Sequence, residues 1–172
     1  MAATFVVEDG TGLSTANSYL SEADADQYHE NYGDPSAWSD LSQAEKENAL
    51  RLGTQYLDAQ YGKRWKGYAT DAEQALDWPR FDALDHDGAL FASDALPTAL
   101  EDATAVAALK SVTDTLLPDV SNPGRIKRVK SKVGPLESEK EYMGGRSELK
   151  RYSLIDGLLK GLLASSNRIR RA

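Results

Sequence analysis

The side chains able to do chemistry are few and poorly assembled. With no cysteine in the chain, there is no thiolate nucleophile, no disulfide framework and no Cys-based zinc site. Imidazole is limited to His29 and His86. His29 sits beside Glu30 in a helical segment with no second His or Asp four residues away, so it reads as a solvated or capping residue rather than a ligand. His86 lies among Asp82, Asp85 and Asp87. Asp85, Asp87, Gly88 and Asp94 occupy the third, fifth, sixth and twelfth places of a calcium-type loop, but Ala83 holds the first and Asp94 replaces the bidentate Glu. The loop therefore reads as solvated, or as the acidic half of a subunit contact. There is no Gly-rich phosphate loop with its Lys and no nucleophile elbow. The expectation is a protein with no catalytic residues, no metal and no cofactor.

One cluster fits a different chemistry. Lys63-Arg64-Trp65-Lys66 joins cations that can hold phosphates to an indole that can stack on a base. Tyr56, Tyr61, Trp65 and Trp78 equally suit core or interface anchors. Arg80, following Trp78-Pro79, suits pairing with a carboxylate of the same body or of a neighbour.

Charge divides the chain more sharply than its net of −7 suggests. Up to Gly124 there are 7 Lys+Arg against 22 Asp+Glu, and from Arg125 onward 13 against 5. An acidic body of residues 1–124 thus precedes a basic segment of residues 125–172, the whole forming one structural domain of 172 residues. Such a dipole can bind nucleic acid through its basic end, or the acidic body of an identical subunit. No stretch approaches a membrane span, and Met1 to Gly10 lacks the n- and h-regions of a signal peptide. The absence of cysteine fits a reducing cytoplasm.

The elements that must position these residues are mainly helical. Thr4 to Val7 reads as an N-terminal strand or arm, turning at Asp9-Gly10-Thr11-Gly12. Ser21, with Asp24 three residues on, predicts a helix to Gly33 with the stripe Ala23, Tyr28 and Tyr32. The capping box Ser42-Gln-Ala-Glu45 opens a second helix, with Ala49, Leu50, Gly53, Tyr56 and Leu57 at helical spacing until Gly62. Residues 81–95 read as an acidic surface loop. Leu96-Pro97 opens a third helix, rich in alanine for close contact and ending by Pro118.

Asn122-Pro123-Gly124 marks the boundary where the charge changes sign. Beyond it, runs from Ile126 to Val133 and Leu136 to Met143 flank Gly134-Pro135 and predict a β-hairpin. The hairpin is too poor in apolar residues to stand alone. Ser153 then caps a terminal helix with an apolar face of Leu154, Ile155, Leu158, Leu159, Leu162 and Leu163. The fold class expected is a mainly α small helical bundle with an N-terminal arm, a C-terminal β-hairpin and a terminal helix.

Several motifs fall in a recognisable order: Phe5-Val-Val-Glu-Asp-Gly-Thr-Gly-Leu13 with Ala16-Asn-Ser-Tyr19, Ala75-Leu-Asp-Trp-Pro-Arg80, Leu96-Pro97, Val133-Gly-Pro-Leu136, Tyr142, and Ile155-Asp-Gly-Leu-Leu159. Together they resemble phage head-to-tail connector or adaptor proteins, some of which are labelled DnaT-like. The resemblance implies a homo-oligomeric ring, usually dodecameric, assembled in the host cytoplasm and seated in the neck of the virion. Its partners would be the portal protein above and a tail or stopper protein below, with non-specific contact to DNA in the channel. The interface candidates are Trp65, Trp78 and Arg80 in the body, Val129, Val133 and Tyr142 in the hairpin, and Leu158, Leu159 and Leu162 in the last helix. The alternative function is a single-stranded-DNA-binding accessory protein of phage replication, using the basic segment from Arg125 onward.

Overall fold

The computed structural model describes residues 4–85, 87–117, 124–132, 137–144 and 151–164, the strands from 124 to 144 through their backbone. Val133, His86, the Asn122-Pro123 boundary and the basic tail lie outside the described residues. The chain divides into two compact units, Met1–Leu116 with Tyr152–Ala172, and Leu117–Arg151. The terminal helix thus groups with the N-terminal residues, and the hairpin forms a unit by itself. By charge the first unit holds 11 Lys+Arg against 22 Asp+Glu, and the second 9 against 5.

In the first unit, helix α1 (Glu22–Tyr32) starts where the Ser21 hydroxyl accepts the Asp24 N–H at 3.2 Å. Its buried residues are Ala25 and His29, one helical turn apart. The expected stripe of Ala23, Tyr28 and Tyr32 is not the buried face, and Tyr32 is 79 % exposed. The cause is a short helix the sequence pattern did not announce, α2 (Pro35–Ser39), capped by Asp34. It delivers the buried Trp38, whose ring lies 4.7 Å from that of His29. A solvated or capping His29 is therefore corrected to a core histidine, 1 % exposed. Trp38 is held in turn by Asp26, which accepts its indole N–H at 2.6 Å and the Lys46 ammonium at 2.8 Å.

Helix α3 (Gln43–Tyr61) begins with the expected Ser42–Glu45 capping box. It packs against α4 (Thr98–Thr113), which is buried along Leu100 and from Ala103 through Ala108. The close approach is made at Gly53, where a Cβ would lie 2.9 Å from the Ala108 nitrogen and 3.1 Å from the Thr104 oxygen. Small residues on both helices are what allow this spacing.

Helix α5 (Ser153–Leu159) packs on α4 and buries Ile155 and Leu159. The helix is shorter than its apolar run. Leu162 and Leu163 lie past its end, where the chain is extended enough for Leu163 to form an antiparallel bridge with Trp65. Leu154 is left 59 % exposed. The principal core joins Tyr19, Tyr56, Leu57, Tyr61, Trp65, Trp78, Leu100, Ile155, Leu159 and Leu162. The N-terminal arm lies against the body through a bridge between Val7 and Ser18. No described helix is long and apolar enough to cross a membrane.

The second unit is the expected hairpin, β3 (Gly124–Lys132) antiparallel to β4 (Glu137–Gly144). The architecture is mainly α, as the sequence pattern indicates.

Candidate nucleic-acid interface

The Trp-Pro-Arg motif proves to be a structural clamp. Arg80 donates from Nε to the Lys66 carbonyl at 2.7 Å, from Nη1 to the Asp77 carbonyl at 2.9 Å and from Nη2 to the Gly67 carbonyl at 2.8 Å. A planar guanidinium can serve three carbonyls at once in a way an ammonium cannot. The effect is to lock segment 65–67 against segment 77–81. Two short strands follow, β1 (Tyr68–Ala69) and β2 (Arg80–Phe81), paired antiparallel with Tyr68 opposite Phe81. Gly67 makes this possible, since its φ of +69° and a Cβ that would lie 2.3 Å from the Phe81 oxygen exclude larger residues. At the far end Asp82, at φ 55°, turns the chain away.

Beneath the clamp lies a half-buried polar network. The Tyr19 hydroxyl donates to Asp58 and accepts the Trp78 N–H at 3.2 Å. Asp58 also accepts the Asp77 N–H at 3.3 Å, and the Trp65 indole donates to the Asp77 carboxylate at 3.2 Å. Burial pushes the Asp58 carboxyl up to about 7, with the neighbouring Asp77 charge adding to the rise and the Tyr19 hydrogen bond opposing it. Tyr19 is raised well above the usual phenol range, first by burial and then by the Asp58 charge. A second polar anchor is Glu8, buried in the arm. Its carboxylate accepts the N–H groups of Gly10 at 3.0 Å, Gly12 at 2.9 Å and Leu13 at 2.9 Å.

The expected nucleic-acid cluster is divided by this arrangement. Trp65 is 5 % exposed and Trp78 fully buried, so neither indole can stack on a base. Lys66 is turned inward, donating to the carbonyls of Leu84 and Gly161. Lys63 and Arg64 remain exposed, in a 3-10 turn (Gly62–Arg64). The exposed rings are instead Tyr68, 66 % exposed, and Phe81, 41 % exposed, their centroids 5.6 Å apart. Sequence reasoning missed this pair because two-residue strands leave no periodicity. The one available signal was Gly67 beside an aromatic, with a second aromatic two residues after a proline.

Of the remaining interface candidates, Leu159 and Leu162 lie in the core of the first unit, and Leu158 packs half-buried on it. Arg80 serves carbonyls, not a carboxylate. In the hairpin, Val129 is at the register position opposite Lys140, and Tyr142 opposite Ile126.

The hairpin register sorts the charges. Arg128 is at the register position opposite Glu141, Lys130 opposite Glu139 and Lys132 opposite Glu137. Arg125 is instead opposite Met143, and Lys127 falls at an irregularity between Ile126 and Arg128. The cations at register positions without an opposed glutamate are therefore Arg125, Lys127 and Lys140. Among the described residues, no group of three or more His, Asp and Glu side chains is placed to hold a metal ion.

A family model described as "Putative DnaT-like ssDNA binding protein" matches residues 3–172. The chain belongs to this DnaT-like family. A search of the curated proteins found no match, and neither did a search of the solved structures.

This membership overturns the reading as a head-to-tail connector or adaptor: the family indicated is DnaT-like, and the virion neck, portal and tail partners lose their basis. The dodecameric ring is likewise without support. The physical reason for the error is visible in the motifs that carried it. Phe5–Leu13 is held by Glu8 gathering three amides, and Trp78-Pro79-Arg80 by Arg80 clamping three carbonyls. Both identify a fold, and a fold does not specify which partner it serves.

Proposed function

We propose that this chain is a non-enzymatic accessory protein that binds single-stranded DNA. The observation that carries this reading is the family match across residues 3–172. The charge layout supports it: β3 holds Arg125, Lys127, Arg128, Lys130 and Lys132 within nine residues, in a unit with an excess of cations, while the other unit is strongly acidic. DNA would be drawn to the hairpin and repelled by most of the body. Such a protein would act on replicating DNA in the cytoplasm rather than in a virion.

A unit with nine cations against five anions would neutralise about four phosphates, so log affinity should fall with log salt at a slope near −3. The test is anisotropy of a labelled oligo(dT) of about 30 nucleotides, titrated with protein from about 50 to 300 mM salt. Replacing Arg125, Lys127 and Lys140 by Ser should flatten the slope by about 2. Absence of binding at the lowest salt, or binding with no salt dependence, would overturn the proposal.

A further inference from the structure

We infer that the first unit carries a base-stacking platform, formed by Tyr68 and Phe81, for the unpaired bases of the same DNA strand. The inference rests on the single-strand-binding reading and adds to it a second site with different chemistry.

The two rings occupy directly opposed positions of the β1–β2 ribbon and so share one face. Both are exposed, in a unit that buries its three tryptophans to 5 % or less. Their support is rigid. Arg80 pins the backbone under the ribbon through three hydrogen bonds, and Gly67 brings the two strands into contact. A stacking platform needs this property, because a ring held by its backbone loses little entropy when a base lies on it. The two rings are tilted by 35° to one another, which leaves outward aromatic surface on each.

Two exposed cations lie close to the pair along the chain. Lys63 and Arg64 are exposed and precede Tyr68 by five and four residues, so Arg64 lies within about 14 Å of it. The C-terminal segment joins them there: Leu163 bridges Trp65, and the Ala164 N–H donates to the Arg64 carbonyl at 2.7 Å. Two exposed cations four and five residues from an exposed aromatic pair have the composition of a single-strand contact: phosphates on the cations, bases on the rings.

The occupant is defined by its unpaired bases. A duplex hides its base faces, and a protein segment would not depend on them.

The experiment compares oligo(dT) of about 30 nucleotides with an abasic oligonucleotide of equal length, for the wild type, Tyr68→Ala, Phe81→Ala and the double variant. Far-UV circular dichroism and melting temperature report that each variant is folded, and Tyr68→Leu keeps the apolar surface while removing the aromatic ring. The wild type should prefer oligo(dT) over the abasic strand. Each single alanine substitution, and Tyr68→Leu, should weaken oligo(dT) binding about tenfold. The double variant should bind both strands equally, with the salt slope of the wild type. A folded double variant that keeps the wild-type affinity and the preference for bases would overturn the platform while leaving the hairpin contact standing. A wild type that binds neither oligonucleotide would overturn the single-strand reading and the platform with it.

Discussion

Replacing Asp58 by Asn should remove a pH dependence of stability that the wild type carries on its alkaline side. Asp58, on α3, is half-buried beneath the Trp78 clamp, where its carboxyl titrates at about 7 instead of 3.8. Because the folded value lies above the unfolded one, the stabilisation from holding this proton is complete below 3.8 and is lost as pH rises through 7. At about 1.4 kcal/mol per tenfold change in proton affinity, the full effect is roughly 4 kcal/mol. Between pH values of about 5 and 8.5 it amounts to roughly 3 kcal/mol. Asparagine cannot ionise, and its carbonyl oxygen can still accept the Tyr19 O–H. Denaturant titrations of both proteins at the two pH values give the difference between them, in which titrating groups not coupled to Asp58 cancel. That difference should shift toward the variant by roughly 3 kcal/mol on going to the higher pH. A difference that stays constant with pH would refute the assignment of a raised Asp58 pKa.

Three further outcomes follow from particular contacts. Glu8→Ala should cost about 2 to 3 kcal/mol in equilibrium unfolding, since three amides lose their shared acceptor. Gly53→Val should destabilise by about 3 kcal/mol and lower the melting temperature, because its side chain would meet the α4 backbone within 3.1 Å. His29 should limit stability in acid. Burial lowers its pKa below 6.5, so its contribution is present above 6.5 and lost as pH falls through the lowered value. His29→Gln, read by denaturant titration, should flatten that acid limb.

Much of the fold was legible because its signals are local and strong. The Ser21 cap, the Ser42–Glu45 box, the Gly62 stop and the alanine run of α4 each state a helix boundary or contact in a few residues. The hairpin was legible from alternation on either side of Gly134-Pro135. What failed to show in sequence depends on partners distant in the chain. The buried face of α1 was decided by Trp38, delivered by a five-residue helix too short for periodicity. The surface role of Tyr68 and Phe81 was decided by the inward turn of Trp65 and Lys66. Residues 81–95 read as a solvated loop, yet Ala83 is fully buried and Phe91 donates its N–H to the Ala83 carbonyl. Function was least legible. The motifs most easily recognised are those that hold the fold together, and the charges that suggest DNA are spread over residues without a motif.

The central claim, that the chain binds single-stranded DNA, is tested most directly by competition. Labelled oligo(dT) bound to the wild-type protein at low salt is challenged with unlabelled single strand and with duplex of the same length. The account predicts that the single strand displaces the label at least tenfold more effectively than the duplex, because only its bases are free to stack. Equal displacement by both would contradict it.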